Sequence, residues 1–282
     1  MLESADEANR PVKDVLHPRH RAALERFLRP DGRPAKVLLA FDYDGVLAPL
    51  VKAPGGARMR PRTRALLARV SALYPVAVIS GRAWRDVAAF LDGLHPTIVG
   101  NHGFELGHPV PVPRAIARRV SVWRRRLDRS LAGVDGIHFE DKRSTLAVHY
   151  GLSRRWRRAE RLVYEAANQL EGTRLIPGKR VLNVLPHDFP SKGDAVRALV
   201  ARLGCRAALY VGDDVTDEDA FAVGAPLVFG VHVGAGPSLA PWCLHAQSDV
   251  DTLLERLAAA REPAAPPARR RGARRARERS GR

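Results

Sequence analysis

The sequence predicts an α/β fold: a parallel sheet flanked by helices, built from two stretches of chain and interrupted by an inserted α+β layer. Three observations carry that prediction. Short apolar runs of strand length, Val37 to Phe41, Val76 to Ile79 and Ala207 to Val211, each end in polar, chemistry-bearing residues, as buried parallel strands do when a site lies at their C-terminal ends. Helical-period segments alternate with these runs. Between residues of about 107 and 186 the alternation gives way to a helix followed by two strands, twice over. A chain of 282 residues and 31.0 kDa has room for a core and an insert, since single domains mostly run ~100–200 residues.

Residues 1–35 read as a partly disordered lead-in with one short amphipathic piece, Ala22 to Leu28, before the turn-like Arg29-Pro30-Asp31-Gly32. Val37 to Phe41 is the first buried strand. Pro61 opens a helix with Leu66, Leu67, Val70 and Leu73 at helical spacing, and Pro75 stops it. Val76 to Ile79 is the second strand, followed by Ser80-Gly81-Arg82 and a short helix through Phe90. Thr97 to Val99 adds a third strand, ending at Gly100-Asn101-His102-Gly103.

In the insert, Ile116, Val120, Trp123, Leu127 and Leu131 line one helical face, and Trp156, Ala159, Val163, Ala167 and Leu170 line another. Gly136 to Glu140 with Ser144 to Tyr150, and Thr173 to Ile176 with Arg180 to Leu185 about a turn at Pro177-Gly178, read as antiparallel pairs. After Pro190 come a helix from Lys192, the strand Ala207 to Val211, an acidic cluster, a strand Leu227 to Val231 and a last helix Val250 to Ala260. The expected organisation is a Rossmann-like core over 36–106 and 187–262, an insert over 107–186 and an Arg-rich disordered tail over 263–282.

Composition narrows the function classes. Hydrophobic residues at 45% and charged residues at 27% are ordinary globular usage. No apolar run approaches the ~18–20 residues of a membrane span, and the N-terminal MLESADEANRPVKD has no apolar signal region, so the expectation is a soluble, cytoplasmic protein with no membrane partner. Cys205 and Cys243 have no metal-ligand spacing. The net charge of +17 invites a nucleic-acid reading. Its distribution argues against one: 41 of the 47 basic residues are Arg spread over helix surfaces, and the tail holds eight Arg against one Glu.

Four strand-end strings carry the chemistry. In FDYDGVLAPLV, Asp42 and Asp44 alternate along an extended chain, so their carboxylates share a side. One carboxylate of such a pair attacks as a nucleophile, the other moves a proton, and a divalent cation keeps the first ionised. All-oxygen ligands point to Mg2+. Asp213, Asp214, Asp217, Glu218 and Asp219 place five carboxylates within seven positions, and such crowding calls for a cation or a Lys in relief. Lys192 at a helix start supplies one. Ser80 adds a hydroxyl and helix-start amides suited to a phosphate oxygen.

The order DxDG, Ser-Gly-Arg, Lys and GDDxTDEDAF resembles the haloacid dehalogenase superfamily, and FDYDGVLAPL, AVISGR, VGNHGFEL, EDKRSTLAVHY, PGKRVLNVLP, SKGDAV and YVGDDVTDEDAF look like its trehalose-6-phosphate phosphatase family. The resemblance implies a two-step phosphoryl transfer under a C2-type cap formed by the insert. Asp42 would become an aspartyl-phosphate while Asp44 protonates the leaving sugar oxygen and then activates water. Mg2+ would be held by Asp42, the Asp44 carbonyl and Asp213, with Asp214 and Asp217 as outer or alternative ligands. Ser80, the Gly81 amide and Lys192 would hold phosphoryl oxygens. Glu140 and Lys179 from the cap, with Arg82, Asn101 and His102 from the core, would read a phosphorylated disaccharide. His149 reads as a structural histidine. A trehalose-phosphate synthase is the implied partner.

Three departures stand out. Val46 replaces the family's Thr after DYDG, Gly151 replaces the Arg of HYR, and Asn183 replaces the Glu of GKxxxE. The last two remove a guanidinium and a carboxylate from the cap, which bears on substrate choice. Three readings compete: hydrolysis of trehalose 6-phosphate, hydrolysis of another phosphorylated disaccharide or pseudo-disaccharide, and a non-catalytic regulatory or nucleic-acid-binding module.

Overall fold

Five consecutive apolar residues, all buried, make Val37–Phe41 the centre of a sheet covered on both faces. The computed structural model describes residues 12–51 and 56–262. Strand β1 (Lys13–Asp14) and helix α1 (Arg21–Leu28) precede the central strand β2 (Val37–Phe41). Then follow α2 (Pro61–Ser71), β3 (Val76–Ile79), α3 (Trp84–Phe90), β4 (Thr97–Gly100) and β5 (Glu105–Leu106). The insert supplies α4 (Arg114–Ser130), β6 (His138–Asp141), β7 (Leu146–His149), α5 (Trp156–Asn168), β8 (Thr173–Gly178) and β9 (Val181–Pro186). The described residues end with α6 (Lys192–Arg202), β10 (Ala207–Gly212), α7 (Glu218–Phe221), β11 (Val228–Val233), β12 (Trp242–Leu244) and α8 (Asp249–Ala259).

The eight-stranded sheet runs β1-β12-β11-β10-β2-β3-β4-β5. Every pair is parallel except β4 with β5. Alternate residues of β2 feed two cores. Val37, Leu39 and Phe41 pack with Leu67 and Val70 of α2 and Leu253, Leu254 and Leu257 of α8. Leu38 and Ala40 pack with Ala195, Val196 and Leu199 of α6. Each fully buried Leu or Val contributes about 1.5–3 kcal/mol, so the central strand is pinned from both sides. Its C-terminal end is therefore a rigid platform, and every strand-end string stands on it or beside it.

The insert folds as a separate antiparallel sheet, β6-β7-β9-β8. One face, carrying Leu146, Val148, Leu182 and Val184, is covered by Val120, Trp123 and Leu127 of α4 and Ala159 and Val163 of α5. In register, Glu140 lies opposite Ala147, Ala147 opposite Asn183, and His138 opposite His149. Because residues directly opposed share a face, Glu140, His138, His149 and Asn183 occupy the side away from those helices. The two layers meet through a small apolar cluster, Ile176, Leu185 and Phe189 with Phe104, in which Phe104 and Phe189 stack at 4.9 Å.

The structure corrects the sequence reading in three places. Residues 12–35 are not a loose lead-in: Lys13 and Asp14 pair with Trp242 and Cys243, and Val15, Leu24 and Leu28 enter the core. Strands β1, β5 and β12 span only two or three residues, too few to show a period. Pro177-Gly178 is not the turn but the end of β8, with Gly178 opposite Val181. A proline lacks the N–H a central strand needs, yet β8 lies at the sheet edge, where proline is tolerated. The turn falls two residues later, at Lys179-Arg180, with Arg180 in the left-handed region at φ 61°. The expected Arg-rich tail and the first 11 residues lie outside the described residues. No helix among the described residues is long and apolar enough to cross a membrane.

Candidate active site

The site begins where β2 and β10, neighbours in the sheet, both end. Asp42 leaves β2 by donating its backbone N–H to the Val211 carbonyl at 2.9 Å, and its Oδ1 accepts from the Tyr43 N–H at 2.7 Å. Its other oxygen, Oδ2, lies 3.0 Å from Lys192 Nζ. Lys192 opens α6, whose N-terminus is fixed by a reciprocal cap: Ser191 Oγ accepts from Asp194 N–H at 3.1 Å, and Asp194 Oδ2 accepts from Ser191 N–H at 2.9 Å. Gly193 lets that first turn approach the acidic loop, since a Cβ there would lie 2.3 Å from the Asp219 carbonyl oxygen.

Asp217 ties the network together. Its Oδ1 accepts from Lys192 Nζ and from Tyr210 Oη, both at 2.6 Å. Its Oδ2 accepts from the backbone N–H groups of Asp213 and Asp214, both at 2.9 Å. Four donors fill the acceptor capacity of a carboxylate. Asp214 is used in part, since its Oδ1 accepts from the Val215 N–H and caps the short turn. Burial alone would lower Lys192, but Asp217 and Asp42 outweigh it and hold the ammonium above its ordinary value. One ammonium cannot balance every carboxylate here, and burial together with the surplus negative charge pushes Asp42 up.

That surplus fits a cation. Asp42, Asp213 and Asp217 bring carboxylate oxygens within 4.8 Å of one another. Three carboxylates against one ammonium leave two negative charges, the complement of one divalent ion. Among the described residues Asp213 Oδ1 is buried without a hydrogen-bond partner, and burial, then Asp217, raises its carboxyl to about 7. Gly45, at φ 74°, leaves the space beside it open: a Cβ there would lie 1.9 Å from Asp213 Oδ2. Because Asp217 is already saturated, Asp42 and Asp213 are the members of this trio with acceptor capacity to offer. Such an all-oxygen set suits a hard divalent cation.

Beside this centre, the loop after β3 carries Ser80, Gly81 and Arg82. Ser80 is buried, and its Oγ accepts from the Arg82 N–H at 3.2 Å. Arg82 holds Asp44 in a two-pronged grip, Nε to Oδ2 at 2.6 Å and Nη2 to Oδ1 at 2.7 Å. Asp42 thus faces Lys192 while Asp44 faces Arg82. Asn101 and His102 both sit in the left-handed region, φ 49° and 58°, a strained geometry for side-chain-bearing residues. It turns Asn101 inward, where Nδ2 donates to Glu105 at 2.9 Å and the backbone N–H donates to the Arg82 carbonyl at 2.7 Å. Asn101 therefore braces the Arg82 loop. His102 is buried, its Nδ1 without a partner among the described residues, and burial, then Lys142, Lys192 and Arg174, drives it well below its ordinary value, leaving a neutral imidazole.

The cap comes close to this loop. Lys142 Nζ donates to the Gly81 carbonyl at 3.3 Å and lies 3.8 Å from Glu140. Glu140 accepts from His149 Nε2 at 3.1 Å, and this bond is the main cause of its carboxyl falling to about 2. His149, read from the sequence as structural, is 37% exposed and turned to this face. Lys179 stands exposed at the hairpin tip, and none of the described hydrogen bonds or ion pairs joins it to the other site residues. Lys142, Tyr210 and Arg174, which donates to the Pro190 carbonyl at 3.2 Å, escaped the sequence reading. For Lys142 a signal existed, because strand alternation puts positions 140 and 142 on one side. For Tyr210 none did, since it is one residue of an otherwise apolar strand.

Comparison with known proteins agrees with this geometry. The family model described as Trehalose-phosphatase matches residues 40–238. The trehalose-phosphate phosphatase of Mycobacterium marinum is 35% identical over 219 residues, covering 72% of this chain and 55% of that protein. A bifunctional trehalose-6-phosphate synthase/phosphatase of Thermoproteus tenax is 30% identical over 273 residues, 91% of this chain and 36% of that protein. The chain spans about half the length of the M. marinum relative. Among solved structures, the C-terminal domain of C. albicans trehalose-6-phosphate phosphatase superposes with a TM-score of 0.74 at 20% identity, covering 89% of this chain and 99% of that one, a likeness of fold alone. Aspergillus fumigatus trehalose-6-phosphate phosphatase gives 0.64 at 25% identity, covering 89% and 100%. With its strand-end carboxylates, buried lysine and inserted sheet in place, this chain belongs to the trehalose-phosphatase family.

Proposed function

We propose that the protein is a Mg2+-dependent phosphatase that hydrolyses trehalose 6-phosphate to trehalose and phosphate. The observation that carries this reading is the buried Asp42–Lys192–Asp217 network beside the unpartnered Asp213 oxygen. In the first step a carboxylate oxygen of Asp42 bonds to phosphorus as the bond from phosphorus to the sugar oxygen breaks. The departing oxygen takes its proton from Asp44, which must first leave the Arg82 guanidinium. In the second step Asp44 accepts a proton from water, the water oxygen bonds to phosphorus, and the aspartyl-phosphate bond breaks. Lys192, Ser80 and the Gly81 amide supply donors around the phosphoryl oxygens, where such stabilisation acts. Asp42, Asp213 and the Asp44 carbonyl would hold Mg2+, which would supply positive charge against the transferred group.

Glu140, Lys142 and His149 of the cap would read the sugar hydroxyls, with Arg82 and His102 on the core side and Lys179 reaching in as the cap closes. The thin contact between the two layers suits such closure. A synthase supplying the phosphorylated disaccharide in the cytoplasm completes the reading, in keeping with the fused synthase and phosphatase of T. tenax.

A second substrate, another phosphorylated disaccharide or pseudo-disaccharide, is favoured by two features. Gly151 offers no side chain, and the space beside it is taken by the Arg180 stem, 3.1 Å from where a Cβ would lie. Asn183 stands where the family carries a carboxylate. The test is Mg2+-dependent phosphate release from trehalose 6-phosphate, sucrose 6-phosphate, glucose 6-phosphate and an aryl phosphate. Preference for trehalose 6-phosphate is expected, with a loss of at least about 10³-fold in Asp42→Asn. Wild-type rates in that variant would remove the mechanism. Activity on the aryl ester alone would keep the chemistry and discard the substrate.

A further inference from the structure

Tyr210 is the one polar side chain of β10, in a strand otherwise built from Ala, Leu, Val and Gly. It is fully buried and lies on the α6 side of the sheet, among Leu38, Ala40, Ala195 and Leu199. Its hydroxyl donates to Asp217 Oδ1 at 2.6 Å, the same oxygen that accepts from Lys192 Nζ at 2.6 Å. Two donors on one carboxylate oxygen compete for its charge. Lys192 Nζ in turn has three N–H donors: one goes to Asp217 and one faces Asp42 at 3.0 Å. The third has no acceptor among the described residues.

We infer that Tyr210 is a positioning residue for phosphoryl binding: by taking half of Asp217 Oδ1, its hydroxyl loosens the hold of Asp217 on Lys192 and leaves the ammonium available to a phosphoryl oxygen. Without the hydroxyl, Asp217 becomes the stronger acceptor and draws Lys192 toward itself. The less-quenched Asp217 charge also repels an incoming phosphate dianion. Both effects weaken phosphate binding. The pressures on the hydroxyl agree, since burial and the Asp217 and Asp42 charges keep Tyr210 in its protonated, donating form.

The inference rests on the phosphatase reading, and the experiment separates the two. Inorganic phosphate binding is measured calorimetrically with Mg2+ present, alongside kcat/KM on the best ester and the melting temperature. Tyr210→Phe is expected to bind phosphate about tenfold more weakly, the scale of one hydrogen bond to a charged group, with kcat/KM falling in parallel. Tyr150→Phe is the control, because Tyr150 Oη donates to Glu160 at 2.8 Å inside the cap. It should lose melting temperature and keep phosphate affinity. A folded Tyr210→Phe with wild-type phosphate affinity and kcat/KM overturns the inference. Should that variant not fold, 3-fluorotyrosine at position 210, a stronger donor, reads the same bond in the opposite direction: tighter phosphate binding supports the inference and unchanged binding overturns it. A wild type that binds phosphate but hydrolyses no ester removes the function while the Tyr210 comparison still decides. One that binds no phosphate overturns both.

Discussion

Lys192 at the edge of the core sheet is 2% exposed and shared by two carboxylates, whereas Glu140 on the cap sheet is 47% exposed and leans on one histidine. At the first, the acceptor sites of the Asp217 carboxylate are filled, and the strands beneath are buried on both sides. At the second, half the surface is wet and the contacts are long, 3.1 to 3.8 Å. Under the proposed function, the difference separates two tasks. Phosphoryl transfer needs charges held in a low-dielectric setting where they cannot reorganise. Recognition of a sugar needs groups that exchange water for hydroxyls on each turnover, so they must remain accessible.

Removing the charge at the core tests this division most severely. Lys192→Met leaves Asp42 and Asp217 buried without their cation and should cost about 3–5 kcal/mol, read as a lower urea midpoint, together with loss of phosphate release. A stability change below about 1 kcal/mol would mean the network is not the over-determined element described. A steric intrusion ranks next. Gly45→Ala places a Cβ 1.9 Å from Asp213 Oδ2 at φ 74°, and Mg2+ affinity, followed by thermal shift against added Mg2+, should fall about 10–100-fold. Unchanged affinity would take Asp213 out of the cation site.

The smallest effect belongs to the cap. His149→Ala should return the Glu140 carboxyl from about 2 toward its ordinary 4.5, followed by carbon-detected NMR titration. Because the folded value is depressed, the contribution of Glu140 to stability is present above about 4.5 and is lost as pH falls through about 2. The variant should flatten that acid limb while leaving neutral-pH stability nearly unchanged, as expected for a half-exposed pair. A Glu140 that still titrates near 2 without His149 would place its stabilisation on Lys142 instead.

The core was readable where periodicity was long enough to register. Val37–Phe41, the Pro61 helix and the insert's two amphipathic helices all appear as expected. The two-residue strand Lys13–Asp14 did not, because its only reason to be a strand is the Trp242–Cys243 backbone beside it. The site follows the same rule. Asp42, Ser80, Lys192 and Asp213 could be picked out because each follows a strand or opens a helix. The shared face of Glu140 and His149 required the cross-strand register.

What the sequence by itself determined is the order of chemistry-bearing strings at strand ends and the alternation that makes a parallel sheet with an insert. Those are local properties, set by side-chain period and turn residues. Only the tertiary structure decided which charge meets which. Asp42, Lys192 and Asp217 meet because β2 and β10 are neighbours in the sheet and α6 starts at their edge. That same packing fills Asp217 with four donors and leaves Asp213 with an oxygen to spare. A carboxylate's role depends on how many of its lone pairs the fold has already used, and that number exists only once distant strands are side by side.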